Sequence, residues 1–386
     1  MKSLKWYFFS LLALLLFEFL RVYFIMPLPG SQKFQTVDIA YGLHQNRWLI
    51  RSICCLLILL NLHFAYQQSK IKSMLFLVFV IFSITFIETQ MMADTMFYQP
   101  KQLILKNSSE NKIPLTRQII GIQQGQEAKA YPISFLTYHH QVRDQINGQD
   151  ALISYCSVCR SGRVFIPQVN GQTETFRLVG MDQFNAMFED SKTGSWWRQE
   201  NGEAITGPLK GQMLELFPST QLSLAQWLAL YPNSKIMQAD PAFNSSYDSL
   251  ALFEQGKSKG SLTKTDTSSW GEKSWVIGIS KNNEHLAIDW NRLQREKQIV
   301  FNLGGQNCFI TLTTSNADYF AFEVPFEFKN INLKQDTIFL DQFRYSLNGK
   351  CIDCPETDAS KNLISLPAYQ EFWHSWRTFH SNSRIY

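Results

Sequence analysis

A chain of 386 residues is longer than one compact core usually takes, so a membrane part plus one large or two small globular units is predicted. Its 45% hydrophobic residues are concentrated at the start, since charge is sparse between Trp6 and Met92, and the remainder has ordinary soluble composition. The formal net charge of +4 is small, and no arginine-lysine stripe interleaved with aromatics appears, so the electrostatic footprint of a nucleic-acid partner is excluded.

The first predicted span runs from Trp6 to Met26, enough to cross about 30 Å of hydrocarbon at about 1.5 Å per residue. Glu18 and Arg21 lie within it, three apart on one helix face, where they neutralise each other. The second span, about Trp48 to Tyr66, holds Cys54 and Cys55 as small apolar groups, and the third covers roughly Met74 to Met92. Lys2 and Lys5 precede the first span and Lys70 and Lys72 crowd the turn between the second and third, which places both in the cytoplasm and the large domain outside. Met26-Pro27-Leu28-Pro29 is bulky and stiff rather than a cleavage site, so the first span is expected to be retained.

From Asp94 onward the pattern is short and alternating, with turn signals such as Asn147-Gly148, Asn170-Gly171, Asn201-Gly202 and Asn348-Gly349. This predicts an α+β fold, mostly β, with helical spacing confined to Leu222–Leu230 and Pro367–Phe379. Sliding the chain by 157 residues sets Ile120-Gly121-Ile122 on Ile277-Gly278-Ile279, Gly148-Gln149 on Gly305-Gln306 and Phe165 on Phe322 without a gap, which suggests a duplicated β unit. The expected organisation is a three-span anchor at 1–93, a first β-rich unit at 94–243, a Ser- and Lys-rich linker or surface loop at 244–273, and a second β-rich unit with a C-terminal helix at 274–386.

The main chemical signal is Tyr155-Cys156-Ser157-Val158-Cys159-Arg160, whose counterparts in the second copy, Thr313 and Asn316, lack the thiols. Two cysteines separated by two residues can close a disulfide, hold a metal such as copper, zinc or iron, or exchange disulfides with a substrate. Strand-like runs before and after the pair place it on a hairpin turn at the rim of a cleft, with at least one sulfur reachable and Arg160 supplying positive charge. Cys351 and Cys354 form a second turn pair, expected as a separate disulfide or half of a weak four-cysteine zinc match, while Cys308 is expected to be a buried apolar residue. Adjacent His139 and His140, in a segment after a probable strand, point in opposite directions and make a poor metal site, and Met91, Met92 and Met96 read as packing. No nucleotide-binding glycine loop, nucleophile elbow or zinc-protease helix motif is present.

Four ordered blocks carry a resemblance: Gly125-Gln126-Glu127-Ala128-Lys129-Ala130-Tyr131-Pro132, Ile153 to Cys159, Thr193-Gly194-Ser195-Trp196-Trp197-Arg198-Gln199, and Gly202 to Leu209. The chain from about residue 94 resembles the bacterial and archaeal domain-of-unknown-function family 3179, with further similarity at Trp227, Tyr231-Pro232, Leu366 to Tyr369 and Phe372-Trp373. The family resembles a set in which some members are selenoproteins, and selenium at the paired-cysteine motif implies redox chemistry. Carried over residue by residue, the pattern marks Cys156, Cys159, Asp190, Thr193, Ser195, Trp197 and Gln199, and it does not include Cys351 or Cys354. The block from Asp190 to Gln199 reads as a tight turn, or as a loop packed against the cysteine hairpin with Trp196 and Trp197 restricting water.

Three functions remain open at this stage. The first is a membrane-tethered extracytoplasmic thiol redox protein acting on thiol-containing proteins or peroxides, with a lipid bilayer as its other partner. The second is a module in which the same thiolates hold copper, zinc or iron. The third is a non-catalytic scaffold or ligand-binding domain with structural disulfides.

Overall fold

The computed structural model describes residues 2–248, 250–355 and 359–386. The chain divides into two compact units, Met1–Tyr98 with Val169–Leu214, and Gln99–Gln168 with Glu215–Tyr386. The stretch 169–214 therefore groups with the apolar helices, although its alternating pattern resembles that of the other β-rich segments.

In the first unit, Leu4–Tyr23, Arg47–Gln68 and Lys70–Gln90 are helices long and apolar enough to cross a membrane. Glu18, fully buried, accepts hydrogen bonds from Arg21 at 3.1 Å and from Arg51 Nε at 2.6 Å, and both guanidiniums also bind Glu88. The pair expected from spacing is thus half of a four-charge knot that joins all three helices. Pairing each charge offsets the cost of burying it among apolar side chains.

The same unit carries a four-stranded antiparallel sheet in the order Ala204–Thr206, Trp196–Arg198, Asn185–Asp190, Phe176–Asp182. The short helix Val37–Gln45 lies against it: Asp38 accepts from Thr206 Oγ1 at 2.8 Å, Tyr41 meets Trp196 edge to face, and His44 Nε2 lies 3.3 Å from Glu189. Burial works to raise the Glu189 pKa, but the hydrogen bonds from His44, Arg177 and Trp196 outweigh it and hold the carboxyl at about 2.

The second unit contains one succession of elements twice. Strands Gln118–Gln124 and Glu127–Pro132, helix Ile133–His139, and strands Gln141–Ile146 and Gln149–Cys156 have counterparts Trp275–Lys281, Glu284–Asp289, Trp290–Glu296, Gln298–Leu303 and Gln306–Leu312. Each counterpart begins 157 residues later, as 275 lies 157 beyond 118. The sixth strands, Ser161–Ile166 and Tyr319–Val324, complete the two series. Local chemistry follows the same offset. Both helices end on a left-handed residue, His140 and Lys297, and both following hairpins turn on two residues of positive φ, Asn147-Gly148 and Gly304-Gly305.

The helices Ile133–His139 and Trp290–Glu296 are absent from the sequence expectation, because seven residues are too few to show a helical period. The expected helical stretches begin later than read: Leu222 lies in the strand Thr220–Ser223 before the helix Leu224–Leu230, and Ala368–Phe372 is a strand before the helix Trp373–Phe379. Each helix seats a tryptophan on a glycine of the neighbouring sheet, Trp227 on Gly121 and Trp376 on Gly278. Each indole nitrogen donates to a serine seven residues on, Ser234 and Ser383, both at 2.7 Å. A short strand then runs parallel to the second strand of its series, Lys235–Met237 beside Glu127–Pro132 and Arg384–Ile385 beside Glu284–Asp289.

The stretch expected as a linker is packed in part: Tyr247 and Phe253 are buried in the core with Phe135 and Phe243. Cys351 and Cys354 are joined as a local disulfide, one of the two alternatives read for them, and Cys308 is a buried free thiol as expected.

Candidate functional site

The pair Cys156 and Cys159 lies on a hairpin turn. Cys156 ends the strand Gln149–Cys156, opposite Ser161 at the start of the returning strand, and Arg160 closes the turn with φ 57°. The amide of Cys159 donates to Cys156 Sγ at 3.3 Å, which folds the turn over its own first sulfur. The placement on a turn is as read from sequence. The exposure is not: both cysteines are 0% exposed, where a cleft rim and a reachable sulfur were expected. The physical reason is the chain packed over the turn, which comes from more than a hundred residues away.

Phe372 N donates to the Cys159 carbonyl at 2.8 Å, and Lys273 Nζ donates to the Val158 carbonyl at 2.6 Å. His374 is fixed by the same covering segment, its backbone N–H and its Nδ1 both donating to the Glu272 carbonyl at 2.9 and 3.2 Å. With Nδ1 committed to that carbonyl, His374 acts on the Cys159 thiol electrostatically. Burial pushes the Cys159 thiol well above its usual range, the Cys156 thiol adds to this, and His374 opposes it. Burial likewise lowers the Lys273 ammonium, opposed by Cys159, Cys156, Glu272 and Asp266 when they carry negative charge.

Arg160 is almost completely buried. Its guanidinium donates to the carbonyls of Phe253 at 3.2 Å and Glu254 at 3.0 Å and to Gln370 Oε1 at 3.3 Å, and it stacks 3.7 Å from the centre of the Trp275 ring. Arg160 therefore clamps the turn to its own unit instead of lending a free charge to the sulfurs. Arg163, on the returning strand, makes a buried ion pair with Glu371 at 2.7 Å.

The other marked residues gather in the first unit. Asp190 accepts from Thr193 N at 2.6 Å, Thr193 Oγ1 at 2.8 Å, Ser195 N at 3.1 Å and Trp197 Nε1 at 2.9 Å. Ser195 Oγ accepts from Leu209 N at 3.0 Å, and Gln199 Oε1 accepts from Asn185 at 3.2 Å. Short side chains satisfying backbone donors around one carboxylate make the tight loop read from composition. The structure thus brings Cys156, Cys159 and Arg160 together in one unit, and Asp190, Thr193, Ser195 and Trp197 together in the other.

Sequence reasoning missed Lys273 and His374. Lys273 ends the stretch read as linker, and His374 follows directly on Phe372-Trp373, so the one available signal was adjacency to a matching block. His139 Nε2 meets Tyr247 OH at 2.6 Å and His140 Nδ1 donates to the Tyr155 carbonyl at 2.9 Å, so the two histidines face different partners. Among the described residues no three His, Cys, Asp or Glu side chains are grouped as a metal site.

Lys273→Met keeps the apolar stem and removes the charge beside the thiols. The pH at which alkylation of Cys156 and Cys159 is half-maximal is expected to rise by about one unit, because a nearby cation favours the thiolate. Alkylation rates measured against pH under mild opening conditions check this, and an unmoved profile would remove Lys273 from the site.

A family model described as "Protein of unknown function (DUF3179)" matches residues 104–383. No curated protein and no solved structure matches the chain.

Proposed function

The chain belongs to the family of proteins of unknown function numbered 3179, and from that premise we propose that it is a membrane-anchored thiol–disulfide exchange protein working through Cys156 and Cys159 outside the cytoplasm. One observation carries this reading. The two thiols share their enclosure with the His374 imidazole and the Lys273 ammonium, the second held over the turn by its bond to the Val158 carbonyl. A cation beside a thiol favours its thiolate, the nucleophile of disulfide exchange, against the burial that disfavours it.

The chemistry is assigned as follows. The Cys156 thiolate, which accepts the Cys159 amide, attacks a substrate disulfide R–S–S–R′; a Cys156–S–S–R bond forms and R′S⁻ leaves to take up a proton. Cys159 then gives its proton to His374 and attacks Cys156 Sγ, releasing RS⁻. The substrate disulfide ends as two thiols and the pair as a disulfide. Because both sulfurs are enclosed, the two stretches that carry Glu272-Lys273 and Phe372–His374 have to move before a protein disulfide reaches them.

That enclosure also favours a second reading, a non-catalytic fold in which the pair is structural. Cys156→Ser separates the two: a folded variant without exchange activity supports the first, and an unfolded one supports the second. The two successions in the second unit are read as copies of one ancestral unit, with thiols in one turn and Thr313 and Asn316 in the other, which fits a site added to a scaffold better than a framework bond.

The proposed orientation has the N-terminus and the turn at Lys70 in the cytoplasm, from Lys2, Lys5, Lys70 and Lys72. A reporter active only in the cytoplasm, fused after Tyr386, is expected to stay silent, and a signal would reverse the orientation.

A further inference from the structure

A cavity of about 680 Å³ opens in the second unit between the two successions of elements, lined at equivalent positions by different residues. Gln118 in one series corresponds to Trp275 in the other, and Arg160 to Ala317, each 157 residues apart, and all four face the cavity. The volume falls within the range of small-molecule sites, roughly 300–1,000 Å³.

Two arginines and one carboxylate stand in the wall. Arg117 pairs with Glu254 at 3.4 Å, and the Arg160 amino groups donate to two carbonyls and Gln370, while its buried Nε has no partner among the described residues. The other polar groups in the wall are neutral. Gln370 is only 4% exposed and lines the cavity; its oxygen is held by Arg160, while its amide nitrogen has no hydrogen-bond partner among the described residues. The Gln118 carboxamide and the Trp290 indole nitrogen, also in the wall, are likewise without a partner among the described residues. Gln118 and Trp290 are half-buried, and donors that face a cavity are open to an acceptor from water or a ligand.

Trp275 and Trp290 stand 6.2 Å apart between ring centres and inclined by 48°. Rings at that angle cannot sandwich a flat base, and Arg160 stacks on Trp275, so Trp290 is the ring that offers an apolar face to the C–H side of a sugar ring. Carboxamides suit hydroxyl groups, since each presents a donor and an acceptor side by side. We propose that this cavity binds an uncharged saccharide of one or two rings, seated on Trp290 with its hydroxyls on Gln370 and Gln118. This inference stands independently of the thiol chemistry.

The test uses the full chain in lipid nanodiscs, free of glycoside detergent, with tryptophan fluorescence and calorimetry. Maltose, cellobiose and N,N′-diacetylchitobiose are each titrated to about 20 mM, with adenosine and inorganic phosphate as contrasts. Saturable binding of at least one disaccharide is expected, weakened roughly tenfold or more in both Gln118→Ala and Trp290→Ala while the thermal midpoint of Gln118→Ala stays at the parent value. Absence of saturation with all three sugars overturns the proposal. So does saturation by adenosine or phosphate alone, or sugar binding that neither variant weakens.

Discussion

Gly278→Ala is expected to destabilise the protein by roughly 3 kcal/mol or more, the upper part of the range for overpacked cores. A Cβ at this position would stand 2.1 Å from two ring carbons of Trp376, a buried side chain whose indole nitrogen is tied to Ser383. The ring has no free direction, because Val276 and Ala287 pack around it in the same cluster. Either the indole moves and gives up its hydrogen bond, or the helix Trp373–Phe379 lifts from the sheet. The helix also carries His374, so the thiol enclosure would loosen with it. Thermal unfolding should fall by about 6–12 °C for a unit of this size. Gly121→Ala meets Trp227 in the same way, at 2.4 Å, and is expected to behave alike. A midpoint within about 2 °C of the parent for both variants would show that the tryptophans are not locked on their glycines.

Asp190→Ala is expected to cost about 3–5 kcal/mol in the first unit, the range for removing one partner from a buried charged network. Four donors converge on this nearly inaccessible carboxylate, and two of them, the Thr193 and Ser195 amides, belong to the turn that the carboxylate organises. Alanine leaves these amides and the Trp197 indole without their acceptor. Asp190→Asn keeps the shape but replaces one acceptor oxygen with a donor, and should recover less than half of the loss. Denaturant unfolding followed by tryptophan fluorescence reads both variants. Equal stability of all three proteins would mean that the loop holds itself without the carboxylate.

What was legible in the sequence depended on chain distance. The cysteine turn could be placed because its flanking strands are adjacent in sequence, and the two successions of elements could be aligned because no gap interrupts their offset of 157. The tryptophan helices escaped that alignment, since Trp376 follows Trp227 by 149 residues after connections of different length. Glu18 and Arg21 were visible as a pair at helical spacing, but Arg51 and Glu88 lie on other helices and join only through packing. Burial of the thiols was illegible for the same reason. Cys-Ser-Val-Cys-Arg reads as an exposed polar turn until Phe372, Lys273 and Trp275 are placed over it. Proximity of the Asp190 block to the cysteines was an expectation from shared family motifs alone, and motif order carries no information about which unit a segment joins.

The central claim is that Cys156 and Cys159 exchange disulfides, and an anaerobic redox titration of the full chain in nanodiscs tests it most directly. Protein is equilibrated with glutathione buffers spanning about −300 to −100 mV, trapped with a mass-shifting alkylating reagent and mapped by peptide. The account predicts that the pair passes reversibly between dithiol and disulfide as one two-electron couple within this window, that the Cys351–Cys354 disulfide stays closed throughout, and that Cys156→Ser abolishes the transition while remaining folded. A Cys156–Cys159 pair that holds one state at every poise, in a protein whose Cys156→Ser variant unfolds, would contradict it.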